Sequence, residues 1–199
     1  MNLNKPTLIV VAGPNGSGKT SLTSQILKHE WIEGCVYINP DSIAQEELGD
    51  WNKLENVLKA AKIAEERRFN CIKNNQNIIF ETVFSAFDKI EFLEYAKRQG
   101  FFIRLFFVGT NHPAINAKRI THRVLEGGHD VPITKIISRY SKSISNCCVA
   151  ATFVDRLYVY DNSEDYSEAK LLFRASNGKL EKKYSKINNW ALQIYKSLE

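Results

Sequence analysis

The sequence predicts a three-layer α/β fold, in which a mainly parallel sheet of five strands carries helices on both faces. Short apolar runs rich in β-branched and aromatic residues alternate with longer helix-like stretches, which is typical of βαβ units. Several runs are continuously apolar, as strands buried on both faces are. A glycine-rich segment joins the first run to the first helix-like stretch. These features predict a single domain over residues 1–199.

The individual elements follow from this alternation. Five strands are expected at residues 7–12, 35–38, 77–81, 101–108 and 156–160. Five helices are expected at residues 17–28, 51–74, 87–99, 113–125 and 133–149. The tail contains Asn177-Gly178, a strong hairpin signal because both residues tolerate a positive φ. We therefore expect a hairpin of residues 171–175 and 179–184, followed by a closing helix at 187–197.

Composition narrows the class of protein. Of the 199 residues, 44% are hydrophobic and 25% are charged, so the chain can bury a core and is not of the disordered type. The net charge of +5 is modest and indicates ordinary solubility more than an anionic partner. Cys35, Cys71, Cys147 and Cys148 show no CxxC pairing, so we expect reduced thiols and a cytoplasmic location. We expect no signal peptide and no membrane span, since no stretch approaches ~20 apolar residues.

A phosphate-binding loop is the strongest motif. Residues 13–20 read Gly13-Pro14-Asn15-Gly16-Ser17-Gly18-Lys19-Thr20 and match GxxxxGK[ST] at every fixed position. The motif lies between a predicted strand and a predicted helix, which is the context it requires. In such a loop the backbone N–H groups surround phosphates, Lys19 reaches the β and γ phosphates, and Thr20 binds magnesium. The sequence therefore predicts ATP and Mg²⁺ as ligands.

Two acidic residues at strand ends are candidates for the chemistry of a kinase. A DxxG or NKxD segment, as GTPases carry, and an LSGGQ-like signature are absent from the sequence. Asp41 follows the second predicted strand, where it could act as the base for an acceptor hydroxyl. Alternatively, it could cap a helix starting near Ile43. Glu81 ends the third strand and could bind magnesium or contact the substrate, and the hydroxyl of Thr82 or Ser85 could position the substrate; the alternative is an ordinary polar turn.

A lid-like segment is predicted at about residues 119–139. Arg119 and Arg123 share a helix face, Arg139 lies on the next helix, and Gly127-Gly128 lies between them. Arginines stabilise the charge of a transferring phosphoryl group, although two solvated basic faces would give the same pattern. We expect His129 and Asp130 to form an ordinary loop. Asn162, after the fifth strand, is a candidate for contacting adenine, with a plain turn as the alternative.

The chain resembles the short stand-alone members of the zeta-toxin-like family of P-loop kinases. The resemblance covers about residues 7–163 and depends on the segments GPNGSGKT, NPD (39–41), ETVFS (81–85), FFVGT (106–110) and R-x3-R-x3-GGHDVP-x6-R-Y (119–140). The chain is shorter than the well-known toxins, and ETVFS differs from their EGT-containing segment.

That resemblance implies a P-loop kinase-like fold with ATP as the phosphoryl donor. It also implies Asp41 as the base, Lys19 on the phosphates, Thr82 or Ser85 near the substrate, and the arginines of residues 119–139 as charge stabilisers. Members with known activity phosphorylate a hydroxyl of UDP-N-acetylglucosamine and are toxins restrained by an antitoxin protein. A sugar-nucleotide acceptor and an antitoxin partner are therefore expected.

The predicted function is ATP-dependent phosphorylation of a small-molecule hydroxyl, with two alternatives left open. A nucleic-acid 5′-hydroxyl kinase would suit the positive charge. It would also need aromatic residues interleaved with a basic groove, and the sequence offers only Arg67-Arg68-Phe69. The second alternative is a nucleotide-binding interaction protein with little turnover.

Overall fold

A seven-stranded sheet forms the centre of the molecule, in a computed structural model that describes residues 5–29, 32–49, 53–128 and 131–198. The strands are β1 (Thr7–Ala12), β2 (Val36–Ile38), β3 (Ile78–Thr82), β4 (Phe102–Gly109), β5 (Arg156–Asp161), β6 (Lys170–Ser176) and β7 (Lys179–Lys183). Their order across the sheet is β2-β3-β1-β4-β5-β6-β7. The first five in this order run parallel, and β6 and β7 are antiparallel. The α/β class is confirmed.

The number of strands is seven where five were expected, because the C-terminal hairpin joins the main sheet. Strand β6 pairs with β5, with Val159 opposite Phe173. Phe173 is fully buried, so this pairing shields apolar surface that a separate two-stranded hairpin would expose. The turn has the predicted geometry, with φ of 48° at Asn177 and 76° at Gly178.

Seven α-helices connect or follow the strands. They are α1 (Lys19–Ile26), α2 (Pro40–Glu46), α3 (Leu54–Lys73), α4 (Asp88–Arg98), α5 (Pro113–Leu125), α6 (Ile133–Ala151) and α7 (Leu192–Lys196) among the described residues. The closing helix is shorter than expected, since Asn189–Ala191 form a 3-10 turn before α7. The expected start of the third helix, residue 51, lies outside the described residues. No helix in the described ranges has the length and apolar character needed to cross a bilayer.

Strand β1 shows how both faces of the sheet are buried. Leu8, Val10 and Ala12 belong to the larger hydrophobic cluster, with residues of α2, α3, α4, α6 and α7. Ile9 and Val11 point to the opposite face, where they pack with residues of α1. All five are fully buried. Continuous apolar character in the strand thus follows from helices on both faces.

The carboxyl ends of the parallel strands meet at one edge of the sheet. Val11 lies opposite Glu81 in β3, and Gly109 lies opposite Asp161 in β5. The loops that follow these strands therefore lie side by side, which is where open α/β sheets place their ligands.

Candidate active site

The phosphate loop is supported by two asparagines from distant parts of the chain. Buried Asn116 donates through Nδ2 to the carbonyl of Asn15 at 2.6 Å. Asn162 donates through Nδ2 to the carbonyl of Ser17 at 2.8 Å. Asn162 also explains one glycine: Gly18 has φ 94°, and a Cβ there would lie 2.2 Å from Asn162 Nδ2. Asn162 thus touches the loop itself, and its contact with adenine stays a prediction.

Lys19 lies at the base of this loop, partly buried. Its Nζ donates to the carbonyl of Pro14 at 2.9 Å. Burial lowers the pKa of Lys19 to about 8, although the carboxylates of Glu81 and Asp41 act in the opposite direction. Arg123 and Arg139 lower the pKa of Lys19 further. An ammonium that is desolvated and close to other cations attracts anions, and a polyphosphate is such an anion.

This lowered pKa predicts a pH dependence of nucleotide affinity. Below pH 8 the ammonium is charged, whereas above it the free protein must first take up a proton to bind phosphate. We expect the Kd for ATP to be about tenfold weaker at pH 9 than at pH 7. Calorimetric titration across this range measures the effect. A Lys19→Met variant should bind weakly at both pH values, and an unchanged wild-type Kd would contradict the prediction.

The carboxylate of Glu81 is held between two hydroxyl groups. Thr20 Oγ1 donates to Glu81 Oε2 at 3.0 Å, and Tyr37 Oη donates to Glu81 Oε1 at 2.9 Å. Asn39 in turn donates through Nδ2 to Tyr37 Oη at 3.0 Å. Burial, together with the neighbouring carboxylate of Glu81, raises the pKa of Tyr37, so its hydroxyl keeps its proton. The sequence did not single out Tyr37. Nothing in its three-residue strand indicates that its hydroxyl will bond to a carboxylate 44 positions away.

The oxygens of Thr20 and Glu81 fit a magnesium ion. Mg²⁺ prefers oxygen ligands, and commonly takes one or two from the protein while substrate phosphates and waters supply the rest. No group of three or more His, Cys, Asp or Glu residues suited to hold a metal occurs in the described part of the chain. Phosphate oxygens of the substrate and waters would complete the coordination.

Asp41 lies on the first turn of α2 and lines the cleft, but it does not cap the helix. The N-cap is Asn39, whose side chain accepts from the backbone N of Asp41 at 2.9 Å. The capping interpretation of Asp41 is therefore wrong, because Pro40 starts the helix three residues earlier than Ile43. With capping assigned to Asn39, the Asp41 carboxylate is exposed and available to a ligand.

A cleft of about 690 Å³ joins these groups. The phosphate loop contributes Lys19 and Thr20, and the strand ends contribute the predicted acids and hydroxyls. Asp41 at the start of α2, Glu81 and Thr82 at the end of β3, and Ser85 just after it are all among the lining residues. Phe84 stands in the middle of this turn with φ 61° and is buried. Helix α6 fixes the turn, since Asn146 Nδ2 donates to the carbonyl of Phe84 at 2.9 Å.

The three predicted arginines separate into two groups. Arg123 and Arg139 line the cleft with Gly127 and Gly128, and Arg139 Nη1 donates to Asn15 Oδ1 at 3.2 Å. Arg119 instead binds the loop after β5. It donates to the Asn162 carbonyl at 2.8 Å, the Glu164 carbonyl at 3.2 Å and Asp165 Oδ1 at 2.9 Å. The expected His129–Asp130 loop lies outside the described residues.

This separation predicts different effects of the three arginines. Arg123→Ala and Arg139→Ala should lower the rate of the chemical step about 10²-fold, with ATP affinity nearly unchanged. Arg119→Ala should mainly weaken nucleotide binding and lower stability, because it releases the 162–165 loop. Single-turnover rates and ATP titrations distinguish these outcomes. Arg98→Ala, at an exposed position on α4, is the control, and normal rates in both cleft variants would contradict the assignment.

Known proteins resemble the chain in sequence and in fold. The Zeta toxin family model matches residues 1–170. An uncharacterized protein of Haemophilus influenzae is 30% identical over 132 residues, which cover 66% of this chain and 91% of that protein.

Two solved structures share the fold at low sequence identity. One is from the PezAT chromosomal toxin–antitoxin system of Streptococcus pneumoniae. It has a TM-score of 0.61 and 18% identity, covering 87% of this chain and 73% of that chain. The other is the AvrRxo1-ORF1:-ORF2 complex with ATP, with a TM-score of 0.67 and 17% identity, covering 99% of this chain and 64% of that chain.

The family match extends over most of the chain and includes the phosphate loop, Asp41, Glu81 and both cleft arginines. The P-loop kinase-like fold seen in the structural neighbours agrees with it. The chain therefore belongs to the zeta toxin family and is a phosphotransferase of the kinase type.

Proposed function

We propose that the protein transfers the γ-phosphoryl group of ATP to a hydroxyl of a small molecule, with Mg²⁺ as cofactor. One observation carries the proposal: Lys19, Asp41 and the arginines Arg123 and Arg139 line the same cleft. A phosphate bound by Lys19 and a hydroxyl bound by Asp41 would thus lie in the same cleft. Phosphoryl transfer depends mainly on such positioning and on charge stabilisation.

Each side chain has a role in this reaction. Lys19 exchanges the Pro14 carbonyl for phosphate oxygens of ATP. Thr20 and Glu81 would hold Mg²⁺, which would neutralise phosphate charge. Asp41 accepts the proton of the acceptor hydroxyl while that oxygen forms a bond to phosphorus and ADP leaves. Arg123 and Arg139 donate to the oxygens of the transferring group.

The acceptor we propose to test first is UDP-N-acetylglucosamine, on the basis of family membership. The protein is incubated with ATP and Mg²⁺, and with either this sugar nucleotide or a 5′-hydroxyl oligonucleotide, and the products are identified by mass spectrometry. Phosphorylated sugar nucleotide alone supports the proposal. Phosphorylated oligonucleotide alone overturns it in favour of a nucleic-acid kinase, and ATP binding without any product favours an interaction protein.

We also propose that the protein is a toxin with an antitoxin partner. The structural neighbours support this. One comes from the PezAT toxin–antitoxin system, and the other is a complex of AvrRxo1-ORF1 with AvrRxo1-ORF2. Induced expression in a bacterial host tests it. Growth arrest by the wild type but not by Asp41→Asn supports a toxic kinase, whereas equal growth of both strains contradicts it.

A further inference from the structure

One wall of the cleft is built without the phosphate loop. Helix α3 contributes Val57, Ala61 and Arg68 to it, and α4 contributes Lys89. The three α3 positions are separated by four and seven residues, so they share one face of the helix. Of these three, only Arg68 carries a charge into an otherwise apolar stripe.

Arg68 is buried, with 6% of its surface exposed, and its guanidinium forms no hydrogen bond or ion pair with the residues that the structure describes. Its guanidinium lies 5.0 Å from the ring centroid of Phe80 and 5.7 Å from that of Phe92. Its Nε is buried without a hydrogen-bond partner in the described ranges. Burial lowers the pKa of Arg68, while the carboxylates of Glu65 and Asp88, which form no ion pair with it in the described ranges, favour its charged form. Arginine nonetheless stays ionised in proteins.

Burying a guanidinium without hydrogen-bond acceptors costs folding free energy. Aromatic faces stabilise the cation, but they do not satisfy N–H donors that point along the guanidinium plane. Proteins pair nearly all buried polar groups. The terminal nitrogens of Arg68 are not among the fully buried, unpaired atoms of the described residues, so a ligand in the cleft that Arg68 lines can supply acceptors to them. The carboxylates lining the cleft, Asp41, Glu81 and Glu126, lie on α2, β3 and the lid rather than on this wall.

Lys89 gives the same wall a second cation. It lines the cleft and pairs with Asp88, beside which it stands at the start of α4. This wall of the cleft therefore presents two cations, Arg68 and Lys89, separate from the Lys19, Arg123 and Arg139 set that we assign to the phosphate donor.

We propose that Arg68 binds an anionic group of the acceptor, a phosphate or carboxylate remote from the hydroxyl that is phosphorylated. The inference rests on the proposed function, because it takes the molecule bound along this wall to be the phosphoryl acceptor. Arg68 is thus a specificity-determining residue: an anionic sugar derivative pairs with it, whereas a neutral sugar leaves the guanidinium unpaired.

A purely structural role for Arg68 makes the opposite prediction for stability. If stacking on Phe80 and Phe92 were its purpose, Arg68→Met would lower the melting temperature of the free protein. As a ligand-binding residue it is a stability cost, because its charge is buried without acceptors. We therefore expect Arg68→Met to leave the melting temperature unchanged or to raise it.

Binding is measured on protein saturated with ADP and Mg²⁺, so that the phosphate loop is occupied. The probes are pyrophosphate and UDP-N-acetylglucosamine for phosphate, glucuronate for carboxylate, and N-acetylglucosamine as the neutral sugar. Arg68→Met should weaken binding of the preferred anionic probe about ten- to a hundredfold. It should leave the weak binding of the neutral sugar unchanged, and Arg68→Lys should restore part of the loss. Arg67→Met, on the same helix but paired with Glu47 at 2.7 Å on the surface, is the matched control.

The outcomes separate this inference from the kinase proposal. Anion binding that needs Arg68, without phosphoryl transfer to any acceptor, supports the anion site and counts against the kinase reaction. Phosphoryl transfer with an acceptor KM that is unchanged in Arg68→Met overturns the anion site and leaves the kinase standing. Wild-type protein that binds none of the anionic probes, or an Arg68→Met variant that binds them equally well, also overturns it.

Discussion

Asp41→Asn should lower phosphoryl transfer by about 10²–10⁴-fold while ATP still binds, as expected for loss of a positioned base. The substitution keeps the shape of the side chain and removes only its ability to accept a proton. It also spares the helix, because the cap of α2 is Asn39 and the backbone N of Asp41 bonds to it in either variant. Single-turnover kinetics with a saturating acceptor measure the chemical step directly, and nucleotide titration measures binding separately.

The matched control for this experiment is Glu46→Gln, which removes a carboxylate from the exposed end of the same helix. Its rate should equal that of the wild type. Asp41 also favours the charged form of Lys19, so its removal should lower the pKa of Lys19 further and shift the ATP-binding pH profile to lower pH. Transfer by Asp41→Asn at the wild-type rate would exclude Asp41 as the base.

Lys19→Ala should nearly abolish phosphoryl transfer and leave the fold intact. The ammonium supplies charge to the phosphates that the loop backbone alone does not. Its loss should not unfold the protein, since the Lys19 ammonium donates to the carbonyl of Pro14 within its own loop and not to a distant element. Circular dichroism and thermal melting test the fold, and ATP turnover tests the function.

The lowered pKa of Lys19 predicts that the stability of the wild type and that of Lys19→Ala depend differently on pH. In the unfolded chain a lysine titrates near 10.5, whereas Lys19 in the folded protein titrates near 8. Between these values the unfolded state binds more protons, so the free energy of unfolding of the nucleotide-free wild type rises with pH over this window. In Lys19→Ala that rise should be absent. Lys28→Ala, which replaces an exposed lysine just after α1, should keep both the rise and the activity. Wild-type turnover in Lys19→Ala would contradict the phosphate-loop assignment.

Several features of the fold and site could be predicted because they are local. A phosphate loop needs eight consecutive residues and a following helix, and the parallel strands need only continuous apolar runs. Strand β1 and helix α5 therefore begin and end at the expected residues. Asp41 and Glu81 could be singled out because the carboxyl end of a strand is visible in sequence as the end of an apolar run.

The number of strands and the role of Arg119 could not be found this way. A hairpin signal predicts a turn but does not say which sheet edge its strands will join, and here β6 pairs with β5. Likewise a spacing of four residues places Arg119 and Arg123 on one helix face. Only packing decides that Arg119 meets the 162–165 loop while Arg123 reaches the cleft.

The sequence by itself determined the α/β class, the phosphate loop with Lys19 and Thr20, and the two acids at strand ends, because each depends on neighbouring residues and on periodicity. Only the tertiary structure decided which side chains complete the site. Tyr37 meets Glu81 across 44 positions, Asn116 meets Asn15 across 101, and Asn162 meets Ser17 across 145. The environment of Arg68 also depends on packing, since its guanidinium comes to lie against Phe80 and Phe92, with Nε unpaired among the described residues, only once α3, β3 and α4 have packed together.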